Sequence, residues 1–366
     1  MRIYGVTGTS GKTTTVWVLD AILAEEFGRD RVGMISTELF RVGAKEMPNE
    51  THMTSINSRK LNGLLRQMRF AGVKHVVIEM TSHALDQKRM AGLKLAGAII
   101  TNITREHLDY HKTMSSYAAA KGKIVNYLVP DGILVGNASD KWASRILHKA
   151  QSKKHKTQSF THEQAQSVKT SLLGDFNKEN VLAAMTLARA VGVPEEAIAK
   201  GVAEIKQVPG RLEWLNTPWG ARVMIDFAQT PNEYERLYQS LRSQVYGKLI
   251  GVFGAAGRRD REKRPVIAKT VAQYADEIIL TQDEPYGDPE DEIYAGLEAG
   301  LTDAIIPCQR IEDRREAMKY AIEKTRAGDV VAVTGMGNYT TRAVGEEMIP
   351  WNDKKIAEEL IRERGI

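Results

Sequence analysis

The run Gly5-Val6-Thr7-Gly8-Thr9-Ser10-Gly11-Lys12-Thr13-Thr14-Thr15 gathers the residue types that bind phosphate. Glycines let a backbone curl until successive N–H groups point at one set of anionic oxygens. A helix starting after Lys12 adds its positive dipole end to the same place. Lys12 would neutralise the β- and γ-phosphates of a nucleotide, and the Thr13 hydroxyl would ligate magnesium. Gly8, Thr9, Ser10, Gly11 and Thr14 complete the expected cradle. The general phosphate-loop pattern asks for glycine where Val6 stands, so the match fails by one residue while Gly-Lys-Thr and the strand–turn–helix setting survive.

Two further segments follow apolar runs. Glu79, in Ile78-Glu79-Met80-Thr81-Ser82-His83, ends one of them. A carboxylate at the carboxyl edge of a parallel sheet either holds magnesium against phosphates or stays a capping or solvated group. Thr101-Asn102-Ile103-Thr104-Arg105-Glu106-His107-Leu108-Asp109-Tyr110-His111 packs amide, carboxylate and imidazole groups into one loop. His107 is open to two readings, a metal ligand or a hydrogen-bonded structural histidine. Lys121 falls in a helical pattern over 116–128, where a lysine ordinarily reaches solvent, and nothing in its spacing says otherwise.

The elements that must hold these groups alternate short β-branched runs with amphipathic stretches, which predicts an α/β fold with mostly parallel sheets. Strands are expected over 2–6, 32–36, 75–80, 97–101 and 132–135, then 222–227, 249–254, 277–281 and 330–334. Helical patterns cover 13–25, 58–69 and 181–205. With 366 residues, two domains are expected, and Gln207-Val208-Pro209-Gly210 is the best place for the chain to turn between them. The predicted domains are 1–208 and 209–366.

Composition narrows the function class. The chain is 42% hydrophobic and 27% charged, with 51 basic and 46 acidic residues and a net charge of +5. That balance does not argue for a nucleic-acid partner. The densest basic stretch, 141–156, reads as a solvated helix end and loop, or as a patch for phosphate or an acidic ligand. No apolar run reaches the roughly 20 residues that span a bilayer, so no membrane partner is expected. A single cysteine, Cys308, fits a reducing cytoplasm.

Taken in order, these segments resemble the Mur ligase family, most closely its MurE branch, which adds the third amino acid to the peptidoglycan stem peptide. The likeness covers nearly the whole chain: GTSGKTTT, IEMTSHALDQKRM, TNITREHLDYHKTMSSYAAAK, GDFNKEN, VPGRLEW, IDFAQTP, FGAAGRRDREKRP and DEPY. It implies a P-loop central domain followed by a Rossmann-like α/β C-terminal domain. The implied reaction moves the γ-phosphoryl group of ATP to a carboxylate, and an amine then displaces phosphate from the acyl phosphate. By the resemblance Lys12, Thr13, Glu79 and His107 serve phosphates and Mg2+. Lys121 matches a lysine that family members carbamylate with carbon dioxide, turning a cation into a metal-binding carboxylate. Asn102, Asn177 and Asn180 fall near the nucleotide, and Arg211, Asp226 and Lys263 match residues that reach it from the second domain. Thr54, Ser55, Ser82 and Arg89 match the acceptor-binding positions, while Arg259, Asp283 and Glu284 fall near the incoming amino acid.

Departures from the pattern shape further expectations. MurE-type enzymes begin with a domain that holds the uridine nucleotide, and this sequence starts at the ATP-binding strand. The acceptor is therefore expected to lack UDP, to be held weakly, or to be presented by a partner chain. The same chemistry on a folate- or polyglutamate-like acceptor is one alternative; a nucleotide-binding pseudoenzyme or subunit that needs a partner is another. In place of Asp-Asn-Pro-Arg, whose arginine clamps a distal carboxylate, stands Asp283-Glu284-Pro285-Tyr286. Loss of that fork and gain of Glu284 predict an amino acid with a cationic side chain, lysine- or ornithine-like.

Overall fold

The computed structural model describes residues 1–49, 51, 53–258, 260–345 and 347–365. The chain forms two compact units, Met1–Lys206 and Gln207–Ile366. Both are α/β, with mostly parallel sheets.

In the first unit the strands are β1 (Arg2–Thr7), β2 (Val32–Ile35), β3 (Leu39–Val42), β4 (Lys45–Pro48), β5 (His75–Glu79), β6 (Leu95–Ile100), β7 (Leu128–Asn137) and β8 (Lys156–Phe160). Between and after them run α1 (Lys12–Phe27), α2 (Ser58–Phe70), α3 (Ser82–Asp86), α4 (Leu108–His111), α5 (Met114–Gly122), α6 (Lys141–Ser152), α7 (His162–Gln166), α8 (Asp175–Ala190) and α9 (Glu195–Glu204). The eight strands lie in the order β4-β3-β2-β5-β1-β6-β7-β8. From β2 to β8 every pairing is parallel; β3 and β4 extend the sheet as an antiparallel ribbon. Parallel strands covered on both faces need unbroken apolar runs. Accordingly β5 is buried throughout, and β1 is buried from Ile3 onward. The central strand β1 thus delivers Thr7 and the glycine loop to the carboxyl edge, between β5 and β6.

Helix α1 is wedged between the sheet and two other helices, α8 and α9. Gly201 of α9 lies against its backbone: a Cβ there would stand 2.5 Å from Cα of Ile22. Only glycine permits so close an approach.

The second unit begins with β9 (Glu213–Asn216), β10 (Arg222–Asp226), α10 (Pro231–Arg242), β11 (Leu249–Phe253), α11 (Lys263–Ala272), β12 (Glu277–Leu280) and α12 (Glu290–Glu298). It continues with β13 (Cys308–Arg310), α13 (Arg314–Lys324), β14 (Val330–Thr334), β15 (Thr341–Val344), β16 (Glu347–Pro350) and α14 (Asp353–Arg364). Its six-stranded sheet has the order β13-β12-β11-β14-β10-β9, parallel except for β9. Val223, Ile225, Val252, Ile279, Val331 and Val333 fill one face beneath α13 and α14. Strands β15 and β16 form a separate antiparallel hairpin.

Several expectations change. The helical pattern over 181–205 is two helices, α8 and α9, because Gly192 takes a left-handed φ of 91° and Pro194 caps the next start. The pattern over 116–128 begins at Met114, tightens to a 3-10 turn over Lys123–Tyr127 and gives way to β7 at Leu128. The basic stretch holds α6 and then Lys156, the first residue of an edge strand, β8. Among the described residues no helix is long and apolar enough to cross a membrane.

Candidate active site

The glycine loop is built by close approach. Gly11 takes φ 81° as N-cap of α1, and a Cβ there would lie 2.0 Å from Oδ1 of Asn180. At Gly8 a Cβ would lie 1.8 Å from Oγ1 of Thr101. Val6, where the general pattern asks for glycine, is instead a buried strand residue paired with Glu79 and Ile99. The segment 101–104 braces the loop from β6. Asn102 accepts from the Ser10 amide at 3.0 Å and donates back to the Ser10 carbonyl at 3.1 Å. Thr101 donates to the same carbonyl at 2.7 Å, and the Thr9 amide donates to the Asn102 carbonyl at 2.8 Å.

Lys12 opens α1 and folds back, its Nζ donating to the carbonyls of Gly8 at 3.1 Å and Thr9 at 2.7 Å. Thr13 and Thr14 are buried beside it. Asn177 and Asn180, one helical turn apart on α8, meet through an Nδ2-to-Oδ1 bond of 3.1 Å. Asn180 reaches the phosphate loop itself, against Gly11.

Lys121 overturns its expectation. Far from reaching solvent, it is 2% exposed, with Nζ donating to the Gly8 carbonyl at 2.7 Å and lying 4.6 Å from the Tyr117 ring centre. Burial, reinforced by the nearby Lys12 charge and only partly countered by Glu106, lowers its pKa well below the usual lysine value. Tyr117 sits one turn earlier on α5 and shares a hydroxyl contact of 3.1 Å with Thr9.

Glu79 is neither a helix cap nor solvated. Fully buried at the end of β5, it accepts from the Thr37 amide at 3.0 Å and the Thr37 hydroxyl at 2.9 Å. Thr81, not Glu79, caps α3. Thr37 follows β2 and has no motif to announce it. His107 adopts a left-handed φ of 54° as it enters α4, and its Nδ1 lies 3.8 Å from Glu106. Its ring packs edge-on to His83, centroids 4.7 Å apart.

The acceptor-position residues line the same edge. The Thr54 and Thr37 hydroxyls meet at 3.0 Å, and Ser55 bridges the Glu79 carbonyl at 3.2 Å and the Thr81 amide at 2.8 Å. Arg89 donates to the Ser55 carbonyl at 3.2 Å, and Ser82 meets His111 Nε2 at 3.1 Å. His111 is buried, which lowers its pKa and favours neutral imidazole.

A second cluster lies within the second unit. Asp226, at the end of β10, accepts from the amides of Leu212 at 2.8 Å and Ala228 at 2.7 Å. Burial pushes its pKa up to about 6 against the pull of Arg211. Arg211 stacks on Phe227 at 4.4 Å. Gln229 donates to the Gly335 carbonyl at 3.1 Å, and a Cβ at Gly335 would meet Asp283 Oδ2 at 2.3 Å, so Asp226 and Asp283 flank one turn. Asp283 is also raised to about 6, chiefly by burial. Glu284 is buried, accepting from Tyr286 at 2.5 Å and the Ala343 amide at 3.2 Å. Behind them the fully buried Arg314, which sequence reading missed, holds Asp353 at 2.9 and 2.7 Å and the carbonyls of Gln282 and Thr334. Lys263 is buried at the head of α11, and Arg259 lies outside the described residues.

Comparison with known proteins decides what this edge belongs to. The Mur ligase middle domain matches residues 6–168, and the Mur ligase glutamate ligase domain matches 210–337. A UDP-N-acetylmuramoyl-L-alanyl-D-glutamate--2,6-diaminopimelate ligase from Caldanaerobacter subterraneus subsp. tengcongensis is 32% identical over 385 residues, covering 99% of this chain and 78% of that protein. The chain belongs to the Mur ligase family. Mur ligases are ATP-dependent, ADP-forming ligases, and the curated relatives place this one on the MurE side of the family. A solved structure of the same named ligase aligns with a TM-score of 0.64 at 27% identity, over 100% of this chain and 79% of that one. Mycobacterium tuberculosis folylpolyglutamate synthase shares the fold, with a TM-score of 0.72 at 19% identity over 91% and 87%.

Proposed function

We propose that this Mur ligase joins an amino acid to the carboxylate of a peptidoglycan-precursor peptide, as its relatives' names describe, using ATP and magnesium. The observation that carries the reading is the convergence of Lys12 and the buried Lys121 on the glycine loop.

The glycine loop fits a polyphosphate, since a side chain at Gly8 or Gly11 would collide with Thr101 or Asn180 and undo the curl that aims backbone N–H groups at one set of oxygens. Among the described residues no group of three His, Cys, Asp or Glu could hold a metal. Magnesium suits such a site, because it relies on one or two side chains and takes its other ligands from phosphates and water. Thr13 and Glu79 would hold one magnesium ion and His107 and carbamylated Lys121 would serve a second, and bound there they would neutralise charge on the phosphates in transfer. Carbamylation needs a neutral amine: the Lys121 Nζ lone pair forms a bond to the carbon of CO2, and a proton leaves to solvent. Burial supplies the neutral form.

The acceptor carboxylate takes the γ-phosphoryl group, releasing ADP. The amine attacks the acyl phosphate, and the tetrahedral adduct collapses to amide and phosphate. Here positioning and charge neutralisation dominate. Lys12 and the loop amides hold phosphates; Thr54, Ser55, Ser82 and Arg89 hold the acceptor peptide; Asn102, Asn177, Asn180, Arg211, Asp226 and Lys263 serve the nucleotide. Asp283 and Glu284, with Tyr286 where an arginine would clamp a carboxylate, favour an amino acid with a cationic end.

ADP release with ATP, magnesium, bicarbonate, UDP-N-acetylmuramoyl-L-alanyl-D-glutamate and an amino-acid mixture tests the reading, with mass spectrometry of the product. Release that requires both acceptor and amino acid is expected, with lysine added faster than diaminopimelate. Release independent of either would reject it.

A further inference from the structure

A groove runs on the side of α5 away from Tyr117 and Lys121. Its floor is apolar and buried (Ala118, Val125, Ile146, Ala150), with half-buried Trp142 at one end. Its rim is basic. Arg145, Lys149 and Lys153 recur at four-residue intervals along α6 and past its end, so successive charges rise about 6 Å along one face. Lys123 on the facing side is paired with Asp86 at 2.6 Å. Among the described residues no acidic side chain pairs with Arg145, Lys149 or Lys153, and Arg145 rests on Trp142 at 5.0 Å.

Size and charge select the occupant. At about 270 Å³ the cavity falls just below the roughly 300–1,000 Å³ of small-molecule pockets and suits one or two inserted apolar side chains. A row of like charges at helical spacing is complementary to carboxylates at the same spacing on a second helix. We propose that this groove docks an acidic amphipathic helix of a partner protein, its apolar residues entering between α5 and α6 and its carboxylates meeting Arg145, Lys149 and Lys153. Both walls lead to the candidate active site. Helix α5 carries Lys121, and Asp140, the N-cap of α6, accepts from the Ile103 amide at 2.9 Å beside Asn102. The docking surface is thereby joined to the loop that braces the phosphate cradle.

The probe is a labelled synthetic helix with glutamates at every fourth position flanking leucines, titrated into the full chain by fluorescence anisotropy at low and raised salt. A scrambled peptide of equal composition serves as comparison. Saturable, salt-weakened binding is expected, at least about tenfold tighter than the scrambled peptide and lost about tenfold in Arg145→Glu/Lys149→Glu. Ala119→Trp, an exposed substitution that fills the groove without changing charge, is expected to weaken it as well. Equal binding of the scrambled peptide, or equal binding to both variants, would overturn the proposal. So would displacement by tripolyphosphate together with indifference to Ala119→Trp, which would mark a plain anion patch.

Discussion

Lys12 and Lys121 donate to a single atom, the carbonyl oxygen of Gly8, at 3.1 and 2.7 Å. Two ammonium groups on one carbonyl repel each other, and the buried one yields its proton more readily. Lys121 is thereby biased toward the neutral amine, whose lone pair is free to react.

Removing the first of these should stop turnover without unfolding the chain. Lys12→Ala is expected to lower kcat by roughly 100- to 1,000-fold, the scale of losing one transition-state charge partner. Circular dichroism and thermal unfolding should match the parent. Undiminished turnover would reject the phosphate assignment.

The second should respond to carbon dioxide. With 13C-bicarbonate, a carbamate carbonyl signal is expected in the parent and absent from Lys121→Ala. Because the folded pKa is depressed, the neutral amine persists to lower pH than in an ordinary lysine, and the signal fades as pH falls through that lowered value. A signal that survives in Lys121→Ala would belong to another amine.

Gly11 carries both a left-handed φ and a 2.0 Å approach to Asn180. Gly11→Ala should therefore cost roughly 1–2 kcal/mol of stability and raise the KM for ATP. Adding Asn180→Ala relieves the contact but not the φ, so the double variant should recover part of the loss. No recovery would mean that Asn180 does not limit the cradle.

Asp226 has its pKa raised from 3.8 to about 6, so its burial costs nothing while protonated and most when ionised. The unfolded chain ionises first, and stability from this group is lost as pH rises through about 6. The gap corresponds to about 3 kcal/mol at ~1.4 kcal/mol per tenfold change. Asp226→Asn removes the titration. Its melting temperature relative to the parent should climb between pH 4 and 7 and then level off; a flat difference would contradict the raised pKa.

How much was legible follows the physics of each element. Strands such as β1 and β5 announce themselves because burial on both faces demands apolar runs. Strand β4 carries exposed Lys45 and Glu46, and edge strand β8 exposed Lys156 among polar residues, so neither shows an apolar run. Lys12 and Gly11 sit in a contiguous motif. The environment of Lys121 depends on Gly8, far away in sequence, and no local spacing reports it. Thr37 and Arg314 likewise act through partners that only folding brings near.

One consequence lies in Gly201. Helix α1 begins at the glycine loop and is gripped at Ile22 by α9, which ends at Glu204 just before the first unit closes at Lys206. At that point no side chain stands between the two helix backbones to absorb slack. The last helix of the first unit is thus clamped, backbone to backbone, to the helix whose first turn would receive an arriving anion.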